Sequence, residues 1–159
     1  MNNNRAYTLV EAVISVLLLS VVLLGVHGVL QTGNAVFMKD ITLLDMEQQT
    51  RNAIDRIVRE VRQASSQSID VNYNSTTNDR ISFKIPTIPT GSLIRYYLSG
   101  TNLVREYPAG TTKNVASNVA YLKFSTIGAL LLIDVRADKT IYSNTVSFPL
   151  TTRVRLRNE

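Results

Sequence analysis

The sequence predicts an α+β protein in which one long N-terminal helix packs on a C-terminal antiparallel β-sheet. Three observations support this prediction: an apolar run over residues 8–30, a one-sided helical pattern over residues 34–66, and alternating apolar residues after residue 80. The 159 residues are enough for one domain with its own core.

The first element is the apolar run, which follows the short polar stretch MNNNRA. As a helix, residues 8–30 would extend roughly 34 Å at ~1.5 Å per residue, enough to cross a hydrocarbon core of ~30 Å. One basic residue, Arg5, precedes the run, and one carboxylate, Glu11, lies inside it. The first half of the helix is therefore predicted to be transmembrane.

Three interpretations of this segment compete. A cleaved secretory signal peptide would have a shorter apolar part followed by a clear A-x-A site. An uncleaved signal anchor with a cytoplasmic N-terminus agrees with the position of Arg5. Neither interpretation uses Glu11, although a carboxylate inside a membrane span is costly and is usually functional. The third interpretation is a helix that packs against copies of itself.

Cleavage between Ala6 and Tyr7 would give Glu11 a partner. The new α-amine of Tyr7 would be a cation at the helix start, and Glu11 would be the fifth residue of the mature helix. The helix macrodipole favours a carboxylate at this place. In a stack of parallel helices, Glu11 could also pair with the α-amine of an adjacent subunit.

The stretch RAYTLVE (residues 5–11), followed by an apolar helix, resembles the N-terminal motif of type IV prepilins and type II secretion pseudopilins. That family has a short polar leader, a small residue before the cut, an aromatic residue after it and Glu as the fifth mature residue. The resemblance implies cleavage by a prepilin peptidase and N-methylation of Tyr7. Two positions depart from the usual pattern: Ala6 stands where the family usually has Gly, and Tyr7 where it commonly has Phe.

The resemblance also implies a domain organisation and a location. Residues 1–6 would be a leader peptide, residues 7–33 a transmembrane and filament-core helix, and residues 34–159 an exported pilin-like globular domain that includes the second half of the helix. The chain would cross the cytoplasmic (inner) membrane once, with its N-terminus in the cytoplasm. Its expected partners are that membrane, a prepilin peptidase, and other major and minor pilins or pseudopilins.

The second half of the helix is predicted to be amphipathic, so that one helix extends over about residues 7–64. Opposite charges four residues apart, such as Arg56 and Glu60, indicate a solvated polar face without a site. The apolar residues recur at spacings of three and four, and the stripe consists of Phe37, Ile41, Leu44, Ile54, Ile57, Val58 and Val61.

A polar connection over residues 65–80 precedes the strands. Apolar residues then alternate over residues 81–85, 94–98, 122–124 and 146–156, with a hairpin turn at residues 100–102. The continuous apolar stretch 130–135 predicts a strand that is central or covered on both faces. Pro149 marks a break or an edge in the last strand. Five to seven antiparallel strands after one helix define the α+β class.

Three later segments resemble J-type pseudopilins and W-type minor pilins. They are RNAIDRIVREVRQA (51–64), NLVREYP (102–108) and TTRVRLRN (151–158). The resemblance implies a low-copy subunit, assembled at or near the tip of a type IV pilus or a type II secretion pseudopilus, and not the bulk fibre subunit.

A basic face is predicted on the final strand. Arg153, Arg155 and Arg157 alternate there with apolar residues, whereas the net charge of +5 is too small to predict a nucleic-acid partner by itself. The three arginines fit a solvated or guarded edge, or a contact face for DNA phosphate or an acidic partner subunit. A DNA-binding minor pilin for DNA uptake is therefore the second hypothesis, and a signal-anchored ectodomain without a filament role is the third.

The composition excludes several kinds of chemistry. The chain has no Cys and a single His, His27, so a disulfide, a thiolate metal site and a two-His metal site within one chain are excluded. Nucleotide-binding, zinc-protease, hydrolase and EF-hand motifs are absent from the sequence. The sequence thus predicts a protein that is not an enzyme and has no cofactor, and it leaves a calcium site in a loop open.

Overall fold

The computed structural model describes residues 8–71, 77, 79–87, 93–141 and 144–156. The chain divides into two compact units, Met1–Ile41 and Thr42–Glu159. One helix followed by antiparallel strands confirms the predicted α+β class. The elements are α1 (Leu9–Gln63), a 3-10 turn (Ser66–Ser68), β1 (Arg80–Phe83), β2 (Ile94–Ser99), β3 (Asn102–Glu106), β4 (Thr112–Ala116), β5 (Val119–Ile127), β6 (Leu130–Ile141) and β7 (Asn144–Arg155).

Helix α1 has 55 residues and continues without a break through the three glycines of its first half. Its end is fixed by backbone hydrogen bonds. The N–H of Ala64 donates to the carbonyl of Val61 over 3.1 Å, which tightens the last turn, and the N–H of Ser65 donates to the carbonyl of Lys84 over 3.1 Å. The chain therefore leaves the helix directly beside the end of β1.

The buried face of α1 begins later than the sequence predicted. Its buried residues are Met46, Thr50, Ala53, Ile54, Ile57 and Val61. Phe37, Ile41 and Leu44, the predicted start of the amphipathic stripe, are 61%, 47% and 65% exposed. The periodicity identifies which face of a helix is apolar, but it does not tell which turns of that face are buried.

The strands form two antiparallel sheets with neighbours in chain order. Sheet A has the order β1-β2-β3-β4, and sheet B has the order β5-β6-β7. The predicted hairpin joins β2 to β3, where Ser99 pairs with Asn102 across a two-residue turn. Gly100 has φ +60°, a conformation that glycine adopts at little cost.

Strand β4 was not anticipated from the sequence. Of its five residues only Ala116 is buried, so the apolar alternation that identifies the other strands is missing. The strand exists because its backbone pairs with β3, with a register shift between Leu103 and Val104. Backbone pairing at an edge needs no buried side chains and leaves little trace in the sequence.

One apolar core joins α1 to both sheets. Helix residues Ile57 and Val61 are fully buried against the inner faces of the strands. The rings of Phe83 and Tyr96 stack there with their centroids 6.3 Å apart. The core residues contributed by the strands include Ile81, Phe83, Ile94, Tyr96, Leu103, Val119, Leu122, Phe124, Leu131, Ile133, Val135 and Val154.

Strands β6 and β7 refine two predictions about the end of the chain. Of the two alternatives for β6, the structure selects the central position in sheet B, and its other face is only partly covered, since Leu130 is 39% exposed and Leu132 and Asp134 are half-buried. Strand β7 is one unbroken strand through Pro149 at the edge of the sheet. Of the two alternatives for Pro149, the structure thus selects the edge, where the missing N–H costs no ladder hydrogen bond.

Candidate functional site

Helix α1 begins with a side-chain cap. The Oγ1 of Thr8 accepts a hydrogen bond from the backbone N–H of Glu11 over 3.3 Å, and the carbonyl of Thr8 accepts the N–H of Ala12 over 3.1 Å. Threonine is a favoured N-cap residue, and a glutamate three positions later is favoured by the macrodipole. The sequence places Glu11 in the first turn, where its side chain is exposed. Ala6 and Tyr7, the predicted cleavage and methylation positions, lie outside the described residues.

The first part of α1 presents apolar side chains on all sides. Every described side chain up to residue 41 is exposed, and the large apolar ones between Leu9 and Leu30 are 51–82% exposed. By length and composition this is a helix that could cross a membrane, and none of its apolar window is buried within the protein. A helix that is hydrophobic all round needs lipid or other protein around it.

The polar side chains within this apolar segment are hydrogen-bonded inside the helix. The hydroxyls of Ser15, Ser20 and Thr32 donate to the carbonyls of residues 11, 17 and 28 over 2.8, 2.7 and 3.0 Å. His27 and Gln31 are joined one turn apart, with 2.8 Å between their Nε2 atoms. Such internal bonds make polar residues compatible with a lipid environment, where water cannot satisfy them.

Glu11 differs from these residues. Within the described part of the chain, no hydrogen bond or ion pair involves its carboxylate, although its backbone is part of the cap. An ionised side chain in a span is expensive unless it is paired. Among the described residues of this segment, Glu11 is thus a charged group without a side-chain partner.

The basic face predicted on the final strand lies on the outer side of sheet B. Arg153 and Arg155 of β7 are exposed, and they pair in register with Leu132 and Leu130 of β6. Neither arginine takes part in an ion pair with another described residue. The third member, Arg157, lies outside the described residues.

A partly buried charge cluster joins α1 to sheet A. The carboxylate of Glu60 accepts hydrogen bonds from Arg105 Nε over 3.1 Å to each oxygen, from the hydroxyl of Tyr96 over 2.9 Å, and from Arg56 Nε over 3.3 Å. The side chains of Glu60 and Arg105 are only 17% and 13% exposed. The prediction of a solvated polar face is therefore wrong at Glu60. The predicted pair with Arg56 is present, but the same carboxylate also faces the sheet.

Burial and charge shift the acidity of this cluster. Burial, followed by the negative charge of Glu60 and the hydrogen bond to it, raises the pKa of the Tyr96 hydroxyl well above its ordinary value. Burial alone would lower the pKa of Arg105, but the hydrogen bond and charge of Glu60 outweigh that effect and raise it. Both pKa shifts favour a neutral Tyr96 hydroxyl and a cationic Arg105 guanidinium beside the Glu60 carboxylate.

Alkaline conditions are expected to destabilise the domain through Tyr96. The raised pKa in the folded state means that the stabilisation is fully present below the unfolded-state pKa of about 10 and is lost as the pH rises further. The free energy of unfolding, measured by urea titration over this range, should fall less steeply in Tyr96→Phe than in the wild type. Parallel pH profiles for the two proteins would contradict the assignment.

The charge cluster connects two segments that the sequence had singled out separately. Glu60 belongs to the helical segment 51–64 and Arg105 to the hairpin segment 102–108, and they are 45 residues apart in the chain. Cross-strand pairing of Tyr96 with Arg105 brings both side chains to the same carboxylate. The available signal was the occurrence of opposite charges in both segments, but nothing in the sequence indicated which charges would meet.

The described residues contain no group of three or more His, Asp or Glu side chains that could hold a metal ion. Two aspartates are engaged in local contacts on sheet B. Asp134 accepts a hydrogen bond from the hydroxyl of Thr151 over 2.8 Å, and Asp138 pairs with Arg136 Nε over 3.0 Å.

Comparison with known proteins identifies the N-terminal segment. Residues 1–26 match the family described as the prokaryotic N-terminal methylation motif. Neither the comparison with curated proteins nor the comparison with solved structures produced a match. The family match supports a type IV pilin-like protein and indicates a structural subunit. Together with the exposed apolar helix, it suggests membrane anchoring and assembly with other pilins.

Proposed function

We propose that this chain is a minor pilin or pseudopilin, a structural subunit assembled at or near the tip of a type IV pilus or a type II secretion pseudopilus. The observation that carries the proposal is the position of Glu11, a carboxylate without a described partner in the first turn of an exposed apolar helix. The methylation-motif match over residues 1–26 supports the same placement.

The helix would lie first in the membrane and then in the core of the filament. A prepilin peptidase would cut between Ala6 and Tyr7 on the cytoplasmic face, and Tyr7 would then be N-methylated. The segment 7–33 would remain in the inner membrane as an anchor, with residues 34–159 exported. During assembly the same apolar surface would exchange lipid for neighbouring helices, and Glu11 would pair with the α-amine of the adjacent subunit.

The low-copy assignment has separate support. The segments 51–64, 102–108 and 151–158 resemble J-type pseudopilins and W-type minor pilins. The Glu60–Arg105 contact connects the first two of these segments and fixes the hairpin on the helix. We infer that this hairpin belongs to the surface that distinguishes the subunit from bulk pilins.

Mass spectrometry of the N-terminus tests the processing step. After co-expression with a prepilin peptidase, the mature chain is expected to begin at Tyr7 and to carry one extra methyl group on its α-amine. Ala6→Gly, which introduces the residue usual in the family, should be cleaved at least as completely. Retention of Met1, or a cut beyond residue 25, would contradict the proposal and favour a signal anchor or a signal peptide.

DNA binding is the alternative function, and the observation that favours it is that Arg153 and Arg155 are exposed and form no ion pair with another described residue. The full chain in detergent micelles would then bind duplex DNA with an affinity that falls steeply with salt, because each phosphate contact releases counterions. Loss of this binding in Arg153→Ala/Arg155→Ala would support a DNA-uptake role. Absence of binding at low salt would dismiss it.

A further inference from the structure

Strand β7 forms an open edge of sheet B. Its twelve residues pair with β6 on one side, and no described strand lies on the other side. Such an edge presents unpaired backbone N–H and C=O groups, and it is a template for another extended chain.

The alternation of hydrogen bonds along β7 identifies which of its backbone groups point away from β6. The N–H of Leu156 donates to the carbonyl of Ala129 over 2.8 Å, so the even-numbered residues direct their backbone groups to β6. In an antiparallel ladder the alternate residues then direct theirs outward. Pro149 is one of these outward residues, and it has no N–H to offer. Beyond it, Thr151, Arg153 and Arg155 leave three successive outward N–H groups.

The same alternate residues carry the basic side chains. Arg153 and Arg155 are exposed on the outer face, and they are separated by about 6.8 Å, the distance of two residues along a strand. No described acidic residue forms an ion pair with either of them. Among the described residues, this segment of β7 therefore combines backbone groups without a strand partner and two positive charges without an ion pair.

The charge disfavours a second copy of the chain as the occupant of this edge. Pairing of two β7 edges through residues 151–155 would place Arg153 and Arg155 of one copy beside the same residues of the other. Like charges opposite each other destabilise a sheet. Complementary charge instead points to an extended segment with carboxylates at alternate positions.

We propose that the edge of β7 over residues 150–156 accepts an extended acidic segment of another protein chain by β-strand addition. Backbone hydrogen bonds to Thr151, Arg153 and Arg155 would supply affinity, and carboxylates facing the two arginines would supply selectivity. The identification of that chain as a neighbouring subunit rests on the proposed function. The edge and its charge do not depend on it.

The test uses the full chain in detergent micelles and a short blocked peptide that alternates glutamate and valine. Fluorescence anisotropy should detect binding of this peptide and weaker binding of a matched peptide that alternates lysine and valine. Arg153→Glu/Arg155→Glu should weaken binding of the acidic peptide about tenfold, because two surface ion pairs are replaced by repulsion. The lysine peptide should gain affinity for the same variant.

A second pair of variants measures the contribution of backbone hydrogen bonds to binding separately from that of the arginine charges. Thr151→Pro removes one outward N–H, whereas Thr151→Val keeps it, and both variants lose the hydroxyl bond to Asp134. Binding should weaken roughly fivefold in the proline variant relative to the valine variant, as expected for one lost hydrogen bond. Amide hydrogen exchange at residues 151, 153 and 155 should slow when the acidic peptide binds.

Four outcomes would overturn the proposal. Three concern binding: no binding of the acidic peptide, equal binding by the proline and valine variants, and preferential binding of duplex DNA over the peptide at the same salt concentration. The fourth is self-association of the purified chain through this edge. A failure of N-terminal processing would contradict the proposed function without affecting any of these results, so the two can be distinguished.

Discussion

Replacement of Glu60 by alanine is expected to lower the free energy of unfolding by about 3–5 kcal/mol. The carboxylate accepts hydrogen bonds from Arg105, Tyr96 and Arg56, and the first two lie between α1 and sheet A. Removal of the carboxylate leaves the guanidinium of Arg105 partly buried without its anion. It also leaves the hydroxyl of the fully buried Tyr96 without the acceptor it has in the wild type.

Urea unfolding of the full chain in micelles, followed by tyrosine circular dichroism, would measure this loss. Glu47→Ala is the matched control, since Glu47 also pairs with an arginine four residues away, Arg51, which is 55% exposed. That change should cost less than about 1 kcal/mol. Equal losses in the two variants would show that the burial of the Glu60 cluster contributes nothing to stability.

Replacement of Glu11 by glutamine is expected to abolish incorporation into the filament while leaving membrane insertion intact. Glutamine keeps the size, the hydrogen-bonding capacity and the suitability for a capping box with Thr8, but it removes the charge. In the proposed assembly that charge pairs with the α-amine of the adjacent subunit. An amine left unpaired among apolar helices would carry a large desolvation cost.

Filament content and membrane fractionation would measure the two effects separately. Ser15→Ala is the control, because its hydroxyl bonds only to the carbonyl of Glu11 within the same helix, and its loss should leave assembly normal. Normal incorporation of the glutamine variant would exclude the proposed pairing. A defect in membrane insertion would point to a role for Glu11 in helix formation.

Features governed by local pattern could be predicted from the sequence. The bounds of α1 and the hairpin at Gly100 follow from periodicity and from the backbone chemistry of glycine. These properties depend on a few neighbouring residues. They can therefore be predicted without knowledge of the tertiary structure. For β6 and Pro149 the sequence left two alternatives each, and the sheet order selects the central position for β6 and the edge position for Pro149.

Features governed by distant contacts could not be predicted. The burial of Met46 and the exposure of Leu44 depend on which helix residues the strands cover. The pairing of Glu60 with Arg105 depends on how the hairpin is oriented above the helix. In both cases the residue types were compatible with several arrangements, and packing of the whole domain selects among them.

The candidate site also has features that a local pattern predicted and features that depend on the tertiary structure. Glu11 stood out in the sequence because a carboxylate in an apolar run violates a local expectation. Strand β7 was also anticipated with its row of arginines, but not the run of open N–H groups beside them. That run follows only from the sheet order and the register, since the same strand in a central position would have no open edge.

The exposed apolar surface of α1 restricts the route by which the subunit can leave a bilayer. Transfer of its leucine and valine side chains from lipid into water would cost on the order of tens of kcal/mol, at roughly 1.5–3 kcal/mol for each side chain. No thermally accessible step has such a cost. In the proposed assembly, a free subunit in the aqueous phase would therefore not be an intermediate, and the helix would pass directly from lipid to its protein neighbours.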